Sequence, residues 1–159
     1  MKAKAWLILC ALLITIPIVT LLLTWRAESE VADIIVCRSK YDIAKGNSYF
    51  NSTINVTTFA NKGVALITGD YYKQGASAIP MKVNVSFTIK RKGNTYEITN
   101  SSTLVNPKTL SEDSTLINML NIFVFKEHSR LYLRVNQRSN GDYVFFSGAV
   151  PVLLCAKER

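Results

Sequence analysis

The sequence predicts a mainly β domain with one short helix, preceded by a transmembrane helix. An uncharged apolar run occupies residues 5–25 of the 159-residue chain. After it, most segments alternate apolar with polar residues between short turn motifs, and one stretch has helical spacing instead. The predicted strands follow one another as neighbouring hairpins. This order favours an antiparallel barrel or a curved sheet packed over the helix.

The apolar run has the length of a membrane span. A helix of this length extends about 31 Å at about 1.5 Å per residue, which matches the hydrocarbon core of a bilayer. Trp6 and Trp25 lie near its two ends, where indole rings favour the membrane–water interface. Cleavage after Ala27 or Ala32 would lack the small residue that signal peptidase needs at the −3 position. We therefore expect an uncleaved anchor.

Charges beside the run predict its orientation. Lys2 and Lys4 precede it without an acid, whereas Glu28 and Glu30 follow it closely. The positive-inside rule then places residues 1–4 in the cytoplasm and exports one β domain, residues 27–159.

Three of the 19 basic residues precede the exported domain, which leaves 16 against 11 acids, a modest net charge of +5, and these basic residues are scattered along the sequence. One cluster, residues 90–92, lies at a predicted hairpin tip. Such a charge is typical of a solvated surface near anionic lipid headgroups, and the alternative is a preference for anionic ligands or partners.

The first half of the exported domain is predicted to form strands in hairpins. An apolar run at 31–37 is followed by a turn at 45–47 and by strands at 49–60 and 64–73. The most regular alternation covers residues 81–90, and a turn at 91–94 leads into a strand at 95–105. The apolar face of this last hairpin is formed by Met81, Val83, Val85, Phe87, Ile89, Tyr96 and Ile98.

That apolar face has two interpretations. It fills a hydrophobic core, or it lines a cavity, because a barrel of about eight strands has room for one small apolar ligand. Sheet cores are much commoner than ligand cavities, so the core is the default interpretation.

The second half begins with the predicted helix. Asn106-Pro107 ends the hairpin, and Ser111 is expected to cap a helix at 112–121 with acids in its first turn. A strand at 131–136 and an Asn-Gly turn at 139–142 follow. Residues 143–156 are apolar on both faces, which is typical of a buried or central strand.

Two cysteines, Cys37 and Cys155, lie in the exported domain, 118 positions apart. Outside the cytoplasm such an isolated pair is most simply a disulfide, worth on the order of 4–5 kcal/mol in the loop-entropy model. The alternatives are two free thiols or a metal site. A metal site lacks further ligands, since the one histidine of the sequence, His128, falls in a polar turn.

The sequence contains no arrangement of residues typical of an enzyme. Glu127, His128 and Ser129 are adjacent, and three consecutive residues do not place their side chains in triad geometry. There is no glycine-rich phosphate loop. The sequence therefore predicts a protein that is not an enzyme, with no metal and no cofactor. Four Asn-x-Ser/Thr sequons, at Asn51, Asn55, Asn84 and Asn100, leave a glycosylated eukaryotic surface protein as a further alternative.

The overall plan resembles the FidL-like and ToxS-like accessory membrane proteins of enteric bacteria. The resemblance rests on a short N-terminal segment with two lysines, one predicted membrane helix and a β-rich exported domain. The second cysteine of that domain lies in the C-terminal segment Pro151-Val-Leu-Leu-Cys155. It implies an inner-membrane location with the domain in the periplasm, and pairing with a ToxR-like regulator that carries the DNA-binding part. Relatives of the VtrC type form a lipocalin-like barrel with the regulator and bind bile salts.

The resemblance thus implies a co-sensor that stabilises a ToxR-like regulator and helps to form a pocket for a small amphipathic ligand, without binding nucleic acid itself. The alternative is a stand-alone, membrane-anchored ligand-binding or structural envelope protein.

Overall fold

The computed structural model describes residues 16–17, 34–73, 75 and 77–158. Within these ranges, eight antiparallel strands close into a barrel in the order in which they occur in the chain. The barrel belongs to a compact unit, Ala32–Arg159. Of the two folds that the sequence predicts for the exported domain, the barrel is confirmed.

Short connections join most neighbouring strands, whereas residues 73–78 separate the third strand from the fourth and a helical segment separates the fifth from the sixth. This segment consists of a 3-10 turn (Lys108–Glu112), helix α1 (Ser114–Leu120) and a second 3-10 turn (Ile122–Val124). The strands are β1 (Val36–Lys45), β2 (Ser48–Phe59), β3 (Lys62–Tyr72), β4 (Ile79–Lys92), β5 (Thr95–Asn106), β6 (Arg130–Gln137), β7 (Tyr143–Ser147) and β8 (Val150–Lys157).

Because the strands are antiparallel, the turns between them lie alternately at the two ends of the barrel. The N-terminal end is where Ile34 leads into β1, and it carries the turns after β2, β4 and β6 and the end of β8. The helix end carries the turns after β1, β3 and β7 and the segment containing α1. A hydrogen bond from the Tyr71 hydroxyl on β3 to Asp113, the N-cap of α1, locates that helix there.

The interior is a packed hydrophobic core. Alternate residues of each strand face inward, as the period of two requires. Phe50, Tyr71 and Val83 have no exposed surface, and Leu116 of α1 is equally buried. Because Leu116 is buried in this core, the helix closes one end of the barrel with apolar side chains. Gly69 leaves room for β2, because a Cβ there would lie 2.0 Å from the carbonyl oxygen of Asn51.

The predicted helix is confirmed with a different N-terminus. Asp113, not Ser111, caps it: the Asp113 carboxylate accepts hydrogen bonds from Thr115 N at 2.9 Å and Leu116 N at 3.0 Å. Ser111 instead donates to the carbonyl of Lys108, which keeps residues 108–112 in the preceding 3-10 turn. The expectation of acids in the first turn of the helix was wrong, because Glu112 ends the 3-10 turn.

The expectation of one buried strand over residues 143–156 was also wrong. Gly148, with φ of 61°, turns the chain, so the segment forms the hairpin of β7 and β8. One face of β8 packs on the core through Cys155, whereas Val150, Val152 and Leu154 are exposed. The first strand also differs from its prediction at 31–37, because β1 covers Val36–Lys45 and Ile34 and Ile35 precede it.

The predicted anchor, residues 5–25, lies outside the described residues except for Ile16 and Pro17, which are helical. Within the part of the chain that the structure describes, no helix combines the length and the apolar character that a membrane span needs.

Candidate functional site

The pairing between β1 and β8 is the shortest of the barrel, and we call the place where these two strands meet the seam. Register pairing across it is confined to Cys37 with Lys157 and Arg38 with Ala156. β1 is paired with β2 along its whole length, from Val36 to Lys45. Beyond Arg38 the two seam strands separate, so within the described residues the rest of β1 has no strand on that side.

The peptide groups that face the seam follow from the hydrogen-bond pattern. Ile35 is bonded to Thr58 of β2, whereas the carbonyl of Val36 accepts from the N–H of Glu158, which follows β8. Peptide groups alternate in direction along a strand. Those of Lys40 and Asp42 therefore point away from β2 and into the seam. This arrangement is a strand edge of the kind to which another chain can add.

A groove of about 690 Å³ lies along the seam. On one side it is lined by charged outward-facing residues of β1, including Arg38, Lys40 and Asp42. On the other side Val152 and Leu154 are 43% and 53% exposed and present apolar surface to the groove. An apolar wall thus faces a polar wall, with a backbone edge between them.

The predicted disulfide is confirmed, and it lies at the closed end of this groove. The Sγ atoms of Cys37 and Cys155 are 2.05 Å apart and both residues are buried. Cys37 is one of the two residues of β1 that still pair with β8. The covalent link therefore holds the seam shut at the N-terminal end of the barrel and leaves the rest of the seam unlinked.

The inner side of the seam is only partly covered. Tyr41 points inward and is half-buried, and burial raises the pKa of its phenol. Its carbonyl accepts a hydrogen bond from the Ser52 hydroxyl at 2.8 Å. Tyr41 is thus held in place from the β2 side. Helix α1 also contacts β1, so the strand that forms one wall of the groove is braced from within.

The seven residues predicted to line a core or a cavity all lie in the hydrophobic core. They are Met81, Val83, Val85, Phe87, Ile89, Tyr96 and Ile98, none more than 8% exposed. Phe87 and Tyr96 also border hollows that open at the surface. None of the seven lines the seam groove.

The hollow beside Tyr96 lies at the N-terminal end of the barrel and has a volume of about 380 Å³. Ile35, Val135 and Tyr143 contribute apolar surface, and Gln137 contributes an amide. Tyr143 and Gln137 are neighbours across β6 and β7, and Gln137 Nε2 donates to the Tyr143 hydroxyl at 3.3 Å. The hollow therefore combines apolar and polar surface in similar amounts.

His128 lies in an exposed turn, as predicted. Among the described residues, no group of three or more histidine, cysteine or acidic side chains is placed to hold a metal ion.

Sequence reasoning did not identify the seam. Its one signal was the stretch at 143–156 with apolar residues on both faces. Both faces were expected to be buried, but one face packs on the core and the other lines the groove through Val152 and Leu154.

Comparison with known proteins gives one family. The model of the YqeJ C-terminal domain matches residues 34–155. No curated protein and no solved structure matches the chain. The matched range includes both cysteines and most of both seam strands, so the groove lies within the domain that defines the family.

Proposed function

We propose that this chain, which belongs to the YqeJ C-terminal domain family, is an accessory inner-membrane protein that pairs with a ToxR-like, single-span transcription regulator. Residues 5–25 anchor it, the barrel lies in the periplasm, and the regulator supplies the DNA-binding part. The open β1–β8 seam is the observation that carries this proposal, because it offers a partner both a strand edge and an apolar surface.

The partner contributes an extended segment that pairs with β1 in the groove. Main-chain hydrogen bonds to the peptide groups of Lys40 and Asp42 provide affinity, and contacts with Val152 and Leu154 provide specificity. Strand addition extends the barrel wall across the gap and shields apolar side chains of both proteins. It thereby stabilises the regulator's periplasmic domain.

Co-purification from native membranes tests the pairing. A tagged chain expressed from its own promoter is expected to retain a winged-helix protein with one membrane span. Recovery of the tagged protein without any such regulator, under mild detergent and after cross-linking, would count decisively against the proposal.

A proline tests the strand edge. Lys40→Pro removes the seam-facing N–H and leaves the hydrogen bonds to β2 in place, and proline is tolerated at such edge positions. We expect loss of the partner with little change in the melting temperature, whereas Lys40→Ala keeps the N–H and the partner. Equal retention by both variants would exclude main-chain pairing at this edge.

A charge tests the apolar wall. Leu154→Glu places a carboxylate in the groove and is expected to release the partner. Leu104→Glu is the matched control, because Leu104 is also exposed and lies on β5, outside the groove. If both variants behave alike, the groove is not the interface.

A stand-alone ligand-binding protein is the second candidate, favoured by the hollow beside Tyr96. Its apolar walls and amide suit one small amphipathic molecule, such as a bile salt. Binding of a bile salt by the purified chain without any partner, abolished by Val135→Asp, would favour this candidate. Binding that requires the regulator would support the shared sensory pocket instead.

A further inference from the structure

The N-terminal end of the barrel concentrates positive charge that is scattered in the sequence. The turns after β2, β4 and β6 and the end of β8 all meet at this end. Basic residues occupy or flank each of them: Lys62, Lys90, Arg91, Lys92, Arg138 and Lys157.

Among the described residues, the acids near this end are already engaged within the protein. Glu97 pairs with Lys92 at 3.2 Å and Arg130 at 3.3 Å. Glu158 pairs with Arg38 at 2.7 Å, and Asp142 accepts a hydrogen bond from the backbone N–H of Lys157. The carboxylates therefore do not form an acidic surface of their own, and the basic side chains determine the charge of this end.

The helix end is different. Exposed Lys45, Lys82 and Lys108 are accompanied by exposed Asp70 and Glu112, and Lys73 is paired with Asp113 at 3.1 Å. Basic and acidic residues are nearly balanced there. The charge of the described barrel is thus polarised along its axis.

Two exposed apolar side chains lie at the basic end. Phe59, the last residue of β2, is 72% exposed and Ile34 is 60% exposed. The hydrogen bonds between Ile35 and Thr58 place Ile34 beside Phe59 on the outer surface. Phe59 is also the register partner of Lys62 across the turn. An aromatic ring, an aliphatic side chain and an ammonium group therefore share one edge.

We infer that this end of the barrel is a contact surface for an anionic phospholipid bilayer. Lysine and arginine side chains attract acidic headgroups, and Phe59 and Ile34 enter the interfacial region between them. The inference rests on the proposed anchor in one respect. Residue 25 ends the predicted span and nine positions separate it from Ile34, so this is the end of the barrel through which the chain joins the anchor.

Indole fluorescence in reconstituted vesicles tests the contact. The full chain, with Trp6→Phe and Trp25→Phe, carries a single indole through either Phe59→Trp or Leu104→Trp. Leu104 is a matched control, since it is also 72% exposed and lies near the helix end of β5.

In phosphatidylcholine vesicles containing phosphatidylglycerol, the indole at position 59 is expected to emit at shorter wavelength and to be quenched by brominated lipid. The indole at position 104 keeps the emission of a solvated ring. At 1 M salt, where screening acts within about 3 Å, the quenching at position 59 is lost. Equal behaviour of the two indoles, or equal quenching at position 59 in pure phosphatidylcholine, would overturn the inference.

Charge variants supply a second measurement. Lys62→Gln, Lys90→Gln and Arg138→Gln together should abolish the quenching at position 59. Lys45→Gln, Lys82→Gln and Lys108→Gln remove the same charge near the helix end and should leave the quenching unchanged.

Flotation separates this inference from the anchor, because a chain that does not float with vesicles has no span. A chain that floats with position 59 still solvated has a span and no bilayer contact. Protection of position 59 that appears only with a partner protein would assign the basic end to an acidic protein surface instead.

Discussion

At the scale of single residues, Asn100 joins β5 to the segment that closes the helix end. Its side chain has no exposed surface, and Nδ2 donates to the Phe123 carbonyl at 2.7 Å and to Thr103 Oγ1 at 2.8 Å. The Asn100 backbone also bonds to residues 128 and 129. Asn100 belongs to one of the four sequons, and its complete burial leaves no room for a glycan in the folded domain.

Replacing this amide should destabilise the barrel. Asn100→Ala leaves the buried Phe123 carbonyl without its donor, so we expect a loss of about 1–3 kcal/mol in the free energy of unfolding. Urea denaturation measures it, with Asn84→Ala on the exposed face of β4 as the control. A loss no larger than that of the control would show that the Asn100 hydrogen bonds do not stabilise the fold.

Asp113 joins helix α1 to the end of β3 through one carboxylate. It caps α1, and it also accepts hydrogen bonds from Lys73 and Tyr71. Asp113→Ala is expected to cost about 0.5–2 kcal/mol of stability, while Asp113→Asn keeps most of the cap. Thermal unfolding of the two variants checks this order, and equal melting temperatures would mean that the cap contributes nothing.

At the scale of elements, the seam is closed chiefly by the disulfide. Cys37→Ser or Cys155→Ser is expected to lower the free energy of unfolding by about 2–5 kcal/mol, because a loop that spans nearly the whole barrel regains its freedom in the unfolded chain. Cys10→Ser, in the predicted anchor, is the control. Unchanged melting under oxidising conditions would show that the link carries no stability.

The sequence predicted most elements because their signals are local. β4 and β5 follow from strict alternation, and the turn before β7 follows from Asn140-Gly141. The end of the first strand and the break between β7 and β8 were missed, since Arg38–Lys45 is mostly polar and Gly148 is a single glycine within an apolar stretch.

The groove was not predictable for a different reason. Its walls come from strands at opposite ends of the domain, and nothing local in either strand indicates where pairing stops. Closure of the barrel decides that Val152 is exposed while Cys155 is buried.

At the scale of the whole molecule, two carboxylates make the folded domain less stable as the pH falls. A hydrogen bond from Lys92, together with the charges of Lys92 and Arg130, lowers the pKa of Glu97 against partial burial. Burial opposes the ionisation of Asp113, but hydrogen bonds from Leu116 N and Lys73 outweigh it and lower the pKa of that carboxyl.

A lowered folded-state pKa adds stability above the pKa of the unfolded carboxyl, about 4, and the gain is lost as pH falls through the folded value. We therefore expect a constant urea midpoint from neutral pH to about pH 5 and a falling midpoint below about pH 4. The double variant Glu97→Gln, Asp113→Asn should flatten this fall. An equally steep fall in the variant would assign the acid sensitivity to other groups.

The position of β8 also determines when the domain can be completed during synthesis. Each of the other strand pairs joins neighbours in the chain, so those hairpins are able to form as they emerge, whereas β1 waits for the last strand to be made. Throughout that interval Cys37 is a thiol without its partner. A ribosome that stops before residue 155 therefore releases a chain with a reactive cysteine and an open sheet edge, a ready substrate for disulfide exchange and proteolysis.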